Sequence, residues 1–119
     1  MTIWLWPLWA AAQDVRLELS GDDDALRSRL TNASLSVALE RDGAEAPQDF
    51  VAAARADYER LLTGLYQEGY FGGTISILID GQEAAALDPL LPRASVETVV
   101  LRVDPGPKFR FGQTEVTPV

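Results

Sequence analysis

Carboxylates are the only side chains in this sequence present in numbers that could do chemistry. The 119 residues include 18 Asp and Glu, 10 Lys and Arg, no Cys and no His. Without Cys there are no disulfides, thiolate nucleophiles or Cys-based metal sites. Without His the usual general base near neutral pH is missing, and with it Ser–His and Cys–His catalysis. What remains is two-carboxylate hydrolysis, in which paired acids face each other across a cleft. Asp80 and Asp88 are the candidates, one at a strand end and one in a Pro-rich loop. Acids in such places are more often solvated turn formers, and no catalytic residue is assigned.

Other chemical constellations reduce to structure. Asp22-Asp23-Asp24 suits a solvated turn and the start of a helix, where carboxylates satisfy free N–H groups. A calcium loop would need later ligand positions that are absent. Gly69-x-x-Gly72-Gly73 follows a helix and precedes a strand, the reverse of a phosphate-binding order. Tyr58, Tyr66 and Tyr70 are expected to be partly buried with their hydroxyls reaching solvent. No metal or cofactor site is assigned. The net charge of −8, a single lysine (Lys108) and scattered arginines give no basic face for nucleic acid.

The elements that position these residues follow from periodicity. Val15, Leu17 and Leu19 alternate with polar residues as a half-buried strand. Leu26, Leu30, Ala33 and Val37 recur at helical spacing, through a stretch weakened by Asn32, Ser34 and Ser36. Pro47 opens a second helix whose face is Phe50, Ala54, Tyr58, Leu61 and Leu65, with Arg55, Asp57, Glu59 and Arg60 opposite. Gly69 ends it. Ile75, Ile77 and Ile79 form a second strand ended by Asp80-Gly81. Residues 82–94 read as a loop because of Pro89 and Pro92. A third strand spans 96–103, stopped by Pro105-Gly106-Pro107, and Phe109, Phe111 and Val116 suggest a last extended segment. The class is α+β, two helices on one face of a three-stranded sheet.

The first residues have a different character. All three tryptophans lie in the apolar run Ile3-Trp4-Leu5-Trp6-Pro7-Leu8-Trp9, followed by Ala10-Ala11-Ala12. An apolar core followed by Ala-x-Ala is the pattern of a secretory signal peptide, here residues 1–12, although no Lys or Arg precedes the run. The run is shorter than the about 20 residues of a membrane span. An apolar strand or helix packed on the domain is the alternative.

Two local motifs then carry a resemblance. One is Leu61-Leu62-Thr63-Gly64-Leu65-Tyr66-Gln67-Glu68-Gly69-Tyr70-Phe71, a helix ending in a Gly-Tyr-Phe corner. The other is Leu101-Arg102-Val103-Asp104-Pro105-Gly106-Pro107-Lys108-Phe109-Arg110-Phe111-Gly112, a strand leading through Pro-Gly-Pro into Phe-x-Phe-Gly. With the order β-α-α-β-β, the chain resembles the POTRA (polypeptide-transport-associated) domains of outer-membrane assembly factors, most nearly a TamA-like autotransporter assembly factor. The resemblance covers roughly residues 14–112, with 14–107 as one domain and 108–119 as the start of a following segment or repeat.

The resemblance implies a non-catalytic docking module at the periplasmic face of the outer membrane. It implies that the edge of the second strand, Gly73, Thr74, Ile75, Ser76, Ile77, Leu78, Ile79 and Asp80, adds an extended chain by β-strand augmentation. Gly69, Tyr70, Phe71, Pro105, Gly106, Pro107, Phe109, Phe111 and Gly112 would be structural. The implied partners are unfolded outer-membrane clients, a periplasmic partner subunit and a downstream β-barrel. The alternatives are a stand-alone periplasmic or division-site POTRA-like binding domain, and a small exported carboxylate enzyme. A Ser76→Pro change would probe the edge selectively if the Ser76 N–H faces outward.

Overall fold

The computed structural model describes residues 14–88, 90, 91 and 93–108. The segment expected to be a signal peptide, residues 1–12, and the Phe109-x-Phe111-Gly112 motif lie outside them. The chain runs β1 (Asp14–Leu19), α1 (Asp24–Ala33), α2 (Leu35–Arg41), α3 (Pro47–Gln67), β2 (Thr74–Ile79), β3 (Gln82–Glu83), a 3-10 turn (Ala84–Ala86) and β4 (Thr98–Asp104). This is the expected α+β class, with two refinements. The first expected helix is broken into α1 and α2, and a two-residue strand follows β2.

The sheet order is β1-β4-β2-β3. The last strand is central: β4 pairs in parallel with β1, Leu17 opposite Leu101, and antiparallel with β2, Ile77 opposite Leu101. Strand alternation sends Leu19, Ile77, Ile79, Val99, Leu101 and Val103 to one face, where all are buried. Arg16, Glu18, Thr74 and Arg102 take the other face. The helices cover the apolar face with Leu26 and Leu30 from α1 and Phe50, Leu61 and Leu65 from α3. Burying such side chains contributes about 1.5–3 kcal/mol each.

The helix break falls at Ser34. This residue ends α1 and begins α2 with extended dihedrals, φ −79° and ψ 126°. Its hydroxyl accepts from the Val37 N–H at 3.1 Å, the bond an N-cap makes. A second correction concerns Asp57, expected on the polar side of α3. It is fully buried, because α3 packs against the sheet and against both preceding helices. The residues Phe50, Ala54, Asp57, Leu61 and Gly64 step by four, three, four and three and form one buried stripe.

The end of α3 is as Gly69 foretells. Its φ of +90° is the left-handed region, and its N–H bonds the Tyr66 carbonyl while the Tyr70 N–H bonds that of Leu65. This pair of bonds is the Schellman arrangement, which directs the chain back over the core.

Candidate docking edge

The expected docking strand, β2, has one side on β4 and the other toward the sheet margin. Asp80-Gly81 forms a two-residue turn with both residues at positive φ, 51° and 85°. Asp-Gly favours this turn because its twist matches that of paired strands. The turn sends Gln82 and Glu83 back along β2, pairing with Ile79 and Leu78. Residues 82 and 83 are therefore strand and not loop, and the outer side of Leu78–Ile79 is taken. This shortens the edge expected over residues 73–80.

The next position along the edge is taken by a side chain. The Ile77 N–H donates to Glu83 Oε2 at 3.0 Å, and the Ile77 carbonyl oxygen lies 3.4 Å from the Tyr58 hydroxyl oxygen. The backbone of Ile77 thus faces away from β4. Alternation along an antiparallel strand turns Ile75 and Ile79 the same way, and Thr74, Ser76 and Leu78 toward β4. The Ser76 N–H faces inward, so proline there would break the β2–β4 ladder and would not probe the edge. Among the described residues, no strand pairs with the outer side of Thr74–Ser76.

Glu83 is held from three directions. Ser76 Oγ donates to Oε1 at 2.7 Å, the Tyr58 hydroxyl donates to Oε2, and the Ile77 N–H supplies the third bond. Burial pushes the Glu83 carboxyl up, but the bonds from Tyr58, Ser76 and Ile77 outweigh it and hold the carboxyl below its ordinary value. Burial, then the bond to Glu83, raises the Tyr58 phenol above its own ordinary value. The Tyr58 oxygen also accepts from the Ala85 N–H at 3.1 Å. Behind it, Arg55 Nη1 donates to the carbonyls of Ala84, Ala85 and Leu87, at 3.2–3.3 Å, and fixes the 3-10 turn to α3. Tyr58 is therefore bound to a carboxylate and is not merely reaching solvent.

The opposite margin of the sheet, β1, shows the same device. The Val15 N–H donates to Glu40 Oε2 of α2 at 3.1 Å. Neither Glu40 nor Glu83 was singled out by sequence pattern. The one signal for Glu83 was its place two residues after the Asp80-Gly81 turn, which puts it opposite β2 in a hairpin.

At the other end of β2 the two motifs meet. Tyr70 forms an antiparallel bridge with Lys108, whose ammonium lies 5.6 Å from the Tyr70 ring centre. The Tyr70 hydroxyl donates to Asp23 Oδ2 at 2.6 Å, and Lys108 Nζ lies 3.8 Å from the same oxygen. Asp23 Oδ1 caps α1 by accepting from the Leu26 N–H. The Tyr70 bond first, then the Leu26 N–H, hold the Asp23 carboxyl below its ordinary value against the opposing effect of burial, with the Lys108 charge adding to them. Gly73 packs so close that a Cβ there would stand 2.9 Å from the Asp104 oxygen and 3.0 Å from that of Pro105. Phe71 and Tyr66 form a tilted ring pair with centroids 5.5 Å apart, 41% and 48% exposed, just before β2 in the chain. Pro107 follows Gly106 into the Lys108 bridge.

The two acids considered for catalysis both accept from backbone N–H groups. Asp80 Oδ1 accepts from the Glu97 and Thr98 N–H groups, and Oδ2 pairs with Arg93 at 3.0 Å. Asp88 Oδ1 accepts from the Leu90 N–H. Among the described residues no group of three or more acids could hold a metal ion, and no helix is long and apolar enough to cross a membrane.

No protein-family model, curated protein or solved structure matches this chain.

Proposed function

We propose that this chain is a POTRA-like docking module of an exported outer-membrane assembly or secretion factor, binding extended client or partner chains along the outer edge of β2. The observation that carries the reading is the outer side of Thr74–Ser76, which pairs with no strand among the described residues and along which Ile75 turns its N–H and C=O outward. An added strand would gain backbone bonds that tolerate many sequences. The meeting of the Gly-Tyr-Phe and Pro-Gly-Pro corners supports the resemblance, since the two motifs act as one structural unit.

The test is photo-crosslinking in cells from Thr74, on the edge, and from Glu59, exposed on α3. The reading expects adducts with outer-membrane polypeptides from Thr74 well above those from Glu59, and their loss in an Ile75→Pro background that still folds. Equal crosslinking from both sites overturns edge docking. Fractionation of the same cells separates the variants of the proposal: a heat-modifiable outer-membrane species supports an attached barrel, and a soluble periplasmic species supports a stand-alone domain.

A further inference from the structure

A strand that docks on β2 needs outward N–H groups, and one of them already has a carboxylate on it. Glu83 Oε2 stands 3.0 Å from the Ile77 nitrogen, at the place where the carbonyl of an added strand would sit. The carboxylate is not there by chance of an exposed rotamer: Ser76 and Tyr58 both donate to it, and Tyr58 is in turn fixed by the Ala85 N–H. β3 stops at Glu83, and the Ala84–Ala86 turn leads the backbone away under the hold of Arg55. The side chain of Glu83 therefore continues the pairing for one more position after the backbone of β3 has left.

We infer that Glu83 is a built-in competitor for the docking edge, a side-chain stand-in for an added strand that gates access to Ile77. The inference rests on the docking reading and gives that site its regulation. With Glu83 in place, an added chain pairs with Ile75 and meets the carboxylate at Ile77. With Glu83 withdrawn, the outward positions Ile75 and Ile77 form a continuous edge ending at the β3 hairpin. A charge-assisted bond of this kind is stronger than a neutral one, and solvent weakens it when half exposed. Removing the competitor should therefore tighten docking about tenfold. The carboxylate also sets chemistry for the client, because a chain with acidic residues opposite Ser76 and Ile77 would meet like charge.

The experiment measures binding of one probe to the full chain by titration calorimetry and by amide exchange. The probe is an N-acetylated, C-amidated peptide of alternating valine and threonine ending in two lysines. Glu83→Ala is expected to bind it about tenfold more tightly than the unaltered chain, with new protection of the Ile77 amide on peptide addition. Glu83→Gln keeps an acceptor oxygen and should stay within about threefold of the unaltered chain. Should Glu83→Ala fail to fold, Tyr58→Phe leaves Glu83 present but less firmly held, and should raise affinity about threefold. Equal affinity in all variants overturns the gate and leaves edge docking standing. Binding by none of them overturns edge docking, and the gate with it.

Discussion

Asp57 of α3 grips the start of α2: Ser34 Oγ donates to Asp57 Oδ2 at 2.6 Å inside the protein, and the Leu35 and Ser36 N–H groups donate to the same carboxylate at 2.8 and 3.1 Å. One buried acid thus satisfies backbone donors that the first turn of α2 would otherwise leave without partners. It also explains how a seven-residue helix, too short to stand alone, is held against α3.

Replacing Asp57 with Ala should lower unfolding free energy by about 3 kcal/mol, because buried donors lose their acceptor. Asp49→Ala, in the exposed first turn of α3, should stay within about 0.5 kcal/mol of the unaltered protein. Urea unfolding followed by circular dichroism measures both. Equal losses would mean that Asp57 acts only as a generic charge near a helix start.

Ser36 is buried beside this clamp, and its hydroxyl has no hydrogen-bond partner among the described residues. Ser36→Ala removes a buried polar group while keeping the backbone bond to Asp57. Stability should be unchanged or raised by up to about 1 kcal/mol. A clear loss in the same urea assay would show that the hydroxyl has a role in the folded protein.

Two glycines should respond differently to alanine. A Cβ on Gly73 meets the backbone oxygens of Asp104 and Pro105, which cannot move without parting β2 from β4. Gly73→Ala should cost about 2 kcal/mol or more. A Cβ on Gly64 meets Leu30 Cδ2 at 2.8 Å, the end of a side chain that can turn aside. There the gain in helix propensity, about 1 kcal/mol, offsets much of the crowding. Thermal unfolding should rank Gly64→Ala well above Gly73→Ala, and the reverse order would refute the contact argument.

Stability should be lost at both ends of the pH scale through the groups around β2. Glu83 and Asp23 are held below their ordinary values of 4.5 and 3.8, so each binds its proton more weakly in the folded chain. Their contribution is complete above those values and disappears as pH falls through the lowered folded ones. Tyr58 is raised above 10.0, so its contribution is complete below that value and disappears as pH rises through the raised one. Denaturation midpoints against pH should show a flatter acid limb in Asp23→Asn and Glu83→Gln, and a flatter alkaline limb in Tyr58→Phe. Unchanged limbs would remove these groups from the pH response.

Much of the fold was readable because its elements follow single rules. The alternation at Val15–Leu19 and Ile75–Ile79, Pro47 at a helix start and Gly69 at its end are each local, and each stands where the pattern puts it. What escaped pattern reading depends on contact between distant segments. Asp57 looks polar and exposed until α2 is folded onto α3, although the four-three spacing of Phe50, Ala54, Asp57 and Leu61 marks the stripe it belongs to. β3 escaped because the prolines beyond it suggested loop, and two residues are too few to show a period. Glu83 escaped for a related reason: its partners come from α3 and β2, and an isolated glutamate carries no sign of them. The docking edge was expected along the whole of β2, and the hairpin with its carboxylate leaves Thr74–Ser76 as the stretch without a strand partner among the described residues.

The place of β4 between β1 and β2 also governs when this domain can form. Glu18 and Arg102, facing each other across the β1–β4 pair, are 84 residues apart in the chain. During synthesis β1 emerges before the other described elements and waits for its strand partner β4 until nearly all of the described chain has appeared. Such long-range closure is slow, because loop entropy is lost before any ladder is gained. The arrangement delays commitment to the native state until the central strand has arrived.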